Sequence, residues 1–197
     1  MMLCIVGYMG SGKSTAAVLL KRRGFKIIEM GDTVREEMKK NGMEINSKSV
    51  RAFAAGLRQQ YGNDIVARLA SKKLDSFKNV VIVGVRSTYE RDYFKKLFSD
   101  FVVVAIVAPE RMRFSRIRKR RKPDDPKTLA EFRKIEAKER SGFESKRDEA
   151  HGIGRIIDEA DYVLFNTATV SQLSKDVASL LTYLKGGAAK SAPASRA

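Results

Sequence analysis

One eight-residue segment near the start of the chain constrains its fold more than any other stretch. Gly7-Tyr8-Met9-Gly10-Ser11-Gly12-Lys13-Ser14 fits G-x-x-x-x-G-K-[ST] in full. Leu3–Val6 before it reads as a strand, and Ala16, Ala17, Leu19 and Leu20 after it mark the apolar stripe of a helix. The glycines let the backbone wrap a phosphate with successive N–H groups pointing inward, and the helix N-terminus adds partial positive charge. Lys13 is then placed to bridge the β- and γ-phosphates of a nucleotide, and Ser14 to ligate Mg²⁺. Gly7, Gly10, Ser11, Gly12, Lys13, Ser14 and Thr15 form the expected ATP-binding loop, with Ser14 as the metal ligand.

Such a loop needs a parallel sheet behind it. Short apolar runs at Leu3–Val6, Lys26–Glu29, Val80–Val83, Phe101–Val107 and Tyr162–Phe165 alternate with longer helical patterns, as in repeated β-α units. VVIV and FVVVAIV are apolar without a break, which suits strands buried on both faces. Helices are expected over 13–23, 32–40, 47–60, 63–76, 88–98, 110–120, 127–149 and 170–184. The expected fold is α/β, a three-layer P-loop sandwich around a five-stranded parallel sheet. A single domain spans 1–185, and the small-residue tail 186–197 is expected to be disordered.

Composition narrows the chemistry. One cysteine, Cys4, excludes a disulfide framework, and one histidine, His151, excludes a histidine-cluster metal centre. Cys4 reads as core, His151 as a helix-end or surface residue, Tyr61-Gly62 as a turn, and Met9 as facing apolar neighbours. No apolar run approaches the roughly 18 residues of a membrane span, and the opening MMLCIV lacks a signal-peptide pattern, so the expected compartment is the cytoplasm. The formal charge of +16 favours anionic partners. The tail contributes only Lys190 and Arg196 to it, so the basic character belongs to the fold.

Beyond the loop, Gly31-Asp32-Thr33-Val34-Arg35 follows the second strand. Asp32 suits a helix N-cap and Arg35 the first turn, from which it could reach an anion beside the P-loop; a plain cap with a solvated arginine fits the spacing equally. A P-loop followed by G-D-x-x-R resembles the nucleoside monophosphate kinases, adenylate kinase above all. That resemblance implies that Arg35 holds the acceptor's monophosphate, with Asp32 among the acceptor-side residues. Gly84-Val85-Arg86 resembles the family's G-x-P-R turn, shortened by one residue, which makes Gly84 and Arg86 acceptor-side groups. Glu90 falls where adenylate kinases carry the glutamine that reads the adenine edge.

Ser115-Arg116-Ile117-Arg118-Lys119-Arg120-Arg121 resembles the D-R-x-x-x-R-R approach to the lid, and Asp124-Asp125 with Arg133 resembles its far side. The resemblance implies that Arg116 packs on the donor base and Arg120 grips phosphates. Asp161 to Asn166 resembles the last strand, whose loop borders the donor base, so Asn166 joins the ATP site. The basic lid and short N-terminus bring the chain nearest to archaeal proteins described as adenylate-kinase-related.

One departure stands out: the third strand ends Val81-Ile82-Val83, without the aspartate that orients Mg²⁺ waters in these kinases, and Asp32 is the nearest acidic substitute. The implied activity is transfer of the ATP γ-phosphate to a nucleoside monophosphate, AMP foremost, with Mg²⁺. Lys13, Arg86, Arg116, Arg120 and Arg133 form the expected catalytic set, 36–62 the acceptor-side flap and 110–133 the lid. A dephospho-coenzyme A-type kinase and a nucleic-acid-binding P-loop ATPase or switch are the alternatives. The run 111–122, RMRFSRIRKRRK, holds eight basic residues in twelve and fits a phosphate-gripping lid, a nucleic-acid patch or a solvated helix face.

Overall fold

In a computed structural model, which describes residues 1–74, 77–141 and 152–186, the apolar runs assemble into one sheet. Its strands are β1 (Met2–Val6), β2 (Lys26–Glu29), β3 (Val80–Val83), β4 (Phe101–Val107) and β5 (Tyr162–Phe165). All neighbouring pairs are parallel, in the order β2-β3-β1-β4-β5. The unbroken apolar character of β1, β3 and β4 has a direct cause. Alternate side chains face opposite sides of a strand, and both sides are covered.

Met2, Cys4, Val6, Val80 and Ile82 face one core, which is completed by α2 (Met30–Lys40), α4 (Ile65–Ser71), α5 (Thr88–Leu97) and α8 (Ile153–Asp158). Leu3, Ile5, Val81 and Val83 face a second core, against α1 (Lys13–Lys21) and α9 (Val170–Lys185). The remaining helices are α3 (Ser47–Tyr61), α6 (Glu110–Arg120) and α7 (Leu129–Ser141).

Sheet order sets the position of the site. β1 lies between β3 and β4, so the chain leaves it toward one side and returns on the other, and a crevice opens at the carboxyl ends of the strands. The P-loop fills the start of that crevice, between β1 and α1.

Several expectations need correction. The helix expected over 32–40 starts at Met30, whose side chain is buried in the core, so Asp32 lies within the first turn and Glu29 occupies the N-cap position. The long helix expected over 127–149 is described as α7, ending at Ser141; its remainder, His151 and the tail 187–197 lie outside the described residues. α4 is shorter than the helix expected over 63–76, and α8 is a six-residue helix beyond those expected. Cys4 is fully buried, and Tyr61 ends α3 with Gly62 at φ 99°, as a turn there requires. No described helix is long and apolar enough to cross a membrane.

Candidate active site

The P-loop glycines are dictated by close packing as well as by backbone angle. A Cβ on Gly7 would sit 2.3 Å from the Ile106 carbonyl oxygen, one on Gly10 2.5 Å from that of Arg113, and one on Gly12 2.2 Å from Asn166 Nδ2. All three have positive φ (147°, 78° and 108°), which only glycine adopts without strain. The loop is therefore wedged between β4, α6 and the end of β5. Asn166, 8% exposed, donates from Nδ2 to the Ser11 carbonyl at 2.8 Å. Arg116 donates from Nη2 to the Asn166 carbonyl at 2.8 Å and reaches the Gly10 and Ser11 carbonyls at 3.4 Å. The Ser11 side chain is fully buried, its hydroxyl has no hydrogen-bond partner among the described residues, and it does not line the cleft.

Lys13 folds back over the loop and donates to the carbonyls of Gly7 (2.6 Å) and Tyr8 (2.9 Å). Burial of the ammonium pulls its pKa down to about 8; Glu139 opposes this shift, while Arg86, Arg113 and Arg120 reinforce it. Ser14 and Thr15 line the same cleft, which has a volume of about 600 Å³.

The opposite wall comes from the end of β3. Gly84 turns the chain with φ 89° and Arg86 follows, lining the cleft. Its backbone N–H donates to Glu90 Oε2 at 2.8 Å, and Arg58 Nη2 donates to Glu90 Oε1 at 3.0 Å. Glu90 is 1% exposed and does not line the cleft. The carboxylate expected to read a base instead fixes the turn that presents Arg86. Arg86 Nη1 donates to Glu139 Oε1, on α7, at 2.7 Å. Glu139 lines the cleft and is only 12% exposed, so a carboxylate of the chain itself engages the Arg86 guanidinium at the cleft wall.

The basic run on α6 divides into inward and outward groups. Arg120 lines the cleft and forms a two-pronged pair with Asp125, at 2.7 and 2.5 Å, which holds the Asp125 carboxyl below its usual range. Arg113, 5% exposed, is the deeply placed one. It donates to the Ala108 carbonyl (2.9 Å) and the Met9 carbonyl (3.3 Å), pairs with Glu136, and lies over the rings of Tyr8 and Phe132. Arg118, Lys119, Arg121 and Lys122 are exposed.

Gly7, Gly10, Gly12, Lys13, Ser14, Thr15, Gly84, Arg86, Arg116, Arg120 and Asn166 thus share one cleft. Arg35, Asp32 and Arg133 do not line it. Arg35 pairs with Asp32 at 2.6 Å, within the first turn of α2, and Arg133 pairs with Glu110 at 2.7 Å, across from α6. Met9, expected among apolar neighbours, lines the cleft instead. Sequence reasoning passed over Glu29, Glu139 and Arg113. Glu29 closes a strand that ends at the sheet's carboxyl edge, a signal that was present; the other two carry no spacing cue.

The donor set also fits a magnesium ion delivered with a nucleotide. Ser14 offers an exposed hydroxyl at the cleft, and Glu29 adds a carboxylate to its wall. No group of three or more His, Cys, Asp or Glu side chains able to cage a metal occurs among the described residues. That combination suits Mg²⁺, which keeps several waters and is commonly held by one or two protein groups plus substrate phosphates.

Comparison with known proteins agrees with this architecture. Residues 3–141 match the AAA domain family. A UPF0200 protein of Hyperthermus butylicus is 35% identical over 188 residues, covering 94% of this chain and 96% of that protein. A UPF0200 protein of Thermoplasma volcanium is 37% identical over 165 residues, 84% and 87% of the two chains. Among solved structures, a Thermus thermophilus protein superposes with a TM-score of 0.59 at 19% identity, covering 93% of this chain and 97% of its own. Shikimate kinase from Aquifex aeolicus gives 0.52 at 20% identity, covering 97% and 100%. These two establish the shared α/β P-loop kinase fold. The loop, the sheet order and the full-length relatives together place this chain in the UPF0200 protein family, with a P-loop domain of the AAA class.

Proposed function

We propose that this protein is an ATP-dependent phosphotransferase whose acceptor is a nucleoside monophosphate, AMP foremost. The observation that carries the reading is that the P-loop with Lys13 and, opposite it, Arg86 line one cleft, with Arg86 engaged by the Glu139 carboxylate. In this reading the loop amides and Lys13 hold the donor triphosphate, and Ser14 would hold Mg²⁺, whose charge neutralises the triphosphate oxygens when it is bound. Arg86 aligns the acceptor phosphate, with Arg35 reaching in once its pair with Asp32 opens.

Arg116 and Arg120 close over the transferring group, and Arg133 joins them after leaving Glu110. Together they neutralise equatorial oxygens and exclude water that would otherwise hydrolyse the donor. The acceptor oxyanion forms the new P–O bond as the β–γ bridge breaks, so no general base is needed. Residues 36–62 serve as acceptor-side flap and 110–133 as lid.

The test is incubation with Mg-ATP and AMP, CMP, UMP, GMP, dephospho-coenzyme A or no acceptor, separating diphosphate products from free phosphate. Acceptor-dependent transfer to AMP is expected. Free phosphate alone, whatever the acceptor, would overturn the kinase reading. A nucleic-acid-linked ATPase is the second reading, favoured by the exposed cluster Arg118, Lys119, Arg121 and Lys122 at the end of α6. Retention of RNA that weakens steeply with salt would support it.

A further inference from the structure

The end of β3 offers no acid, since Val83 runs directly into Gly84. An acid stands one strand over. β2 pairs with β3 in parallel register, with Glu29 beside Val83 at the carboxyl edge. Residues in register on neighbouring strands are about 4.8 Å apart across the sheet and project to the same side. Glu29 accordingly lines the cleft with Lys13, Ser14 and Arg86.

Among the described residues it has no structural partner. It sits at the N-cap position of α2 with extended backbone, yet its side chain makes no capping bond there, and among the described residues its carboxylate takes part in no hydrogen bond or ion pair. The other acids nearby are engaged: Glu139 by Arg86 and Asp32 by Arg35. Half-burial pushes the Glu29 carboxyl above its usual range; Asp32 adds to this, while Arg35, Lys13 and Arg86 oppose it. An unpaired, half-buried carboxylate costs folding stability, so packing does not account for its place.

We propose that Glu29 is the carboxylate that orients the water shell of the Mg²⁺ arriving with the nucleotide, acting from β2 where the third strand carries no acid. It is a positioning residue, working through metal-bound water, and the inference rests on the phosphotransfer reading above. Mg²⁺ held by Ser14 and phosphate oxygens retains waters that need acceptors. Glu29 is the carboxylate on the cleft wall left unengaged among the described residues.

The test measures binding of a fluorescent ATP analogue with and without Mg²⁺, and of Mn²⁺ to the protein–ATP complex by electron paramagnetic resonance. It compares wild type, Glu29→Gln, Glu29→Asp and Asp32→Asn. Glu29→Gln is expected to weaken Mn²⁺ half-saturation by about 10- to 100-fold, in the range of other groups that orient metal ligands, while metal-free nucleotide affinity holds. Glu29→Asp should keep part of the wild-type Mn²⁺ affinity, and Asp32→Asn, whose acid is paired with Arg35, should keep all of it. If Glu29→Gln does not fold, the Glu29→Asp titration carries the comparison. Mn²⁺ titrations that coincide for wild type and the Glu29 variants would overturn the inference alone. A wild type that binds no ATP would overturn the phosphotransfer reading, and the inference with it.

Discussion

The contact between Glu139 and Arg86 makes a quantitative prediction about acceptor binding. If the Glu139 carboxylate occupies the place of an acceptor anion, Glu139→Gln should tighten acceptor binding, because the incoming phosphate no longer has to displace a like charge. A charge-assisted hydrogen bond contributes about 1.5–3 kcal/mol in a sheltered setting. Arg86 is 43% exposed, so solvent screening reduces this to about 1 kcal/mol. At about 1.4 kcal/mol per tenfold, AMP should bind the variant about fivefold more tightly than wild type. Glu139→Asp, with a shorter reach, should fall between.

Isothermal titration of AMP into the nucleotide-free protein at low salt reads this directly. Added salt should shrink the difference. The variant has a second, opposite signature. Glu139 supports the charge on Lys13, so its loss should weaken ATP binding most at pH 8 and above. AMP affinity unchanged or weaker in Glu139→Gln would refute the competition argument and make Glu139 a support for Arg86 instead.

Other consequences are equally measurable. Because burial lowers the Lys13 pKa to about 8 in the empty site and a bound phosphate favours the ammonium, ATP affinity should be flat below about pH 7 and fall as pH rises past 8, tracked by Kd from pH 6.5 to 9.5. The same lowered folded-state pKa means that the empty protein gains stability as pH climbs from about 8 toward the ordinary lysine value of 10.5, visible as a rising midpoint in chemical denaturation. Glu90→Ala strands Arg58 and the Arg86 amide and should cost about 3–5 kcal/mol, a drop in Tm on the order of 10 °C, with Glu90→Gln costing less. Gly12→Ala drives a Cβ into Asn166 at 2.2 Å and should abolish ATP binding; Asn166→Ala relieves the collision but not the φ of 108°, so the double variant should recover only in part.

The sheet was legible because its strands are buried on both faces. A run such as VVIV has no competing reading when turn residues bound it, and four of the five strands end where the apolar runs do, with β1 one residue longer. The P-loop was legible because its glycines and Lys13-Ser14 fall at a fixed spacing between a strand and a helix. The far wall of the cleft was less so. Asp32 lost the N-cap because Met30 is drawn into the core and starts α2 early, a tertiary effect that spacing does not reveal. Eight cations in twelve residues do not disclose which of them turn inward. Arg113 is singled out by Tyr8, Phe132 and Glu136, which come from distant parts of the chain. Glu90 matched a base-reading position by order along the chain, yet the turn at Gly84 needed its carboxylate first.

Arg113 also has a consequence for how two ligands would communicate. One guanidinium bonds the carbonyl of Met9 in the P-loop and the carboxylate of Glu136, one helical turn before Glu139 on α7. The P-loop and α7, which carries Glu139, therefore share one side chain. If a ligand on one side of the cleft moves Arg113, it biases the other side, and such a bias is reciprocal by thermodynamic necessity. Whatever factor a bound triphosphate applies to the acceptor's affinity, the acceptor applies to the triphosphate.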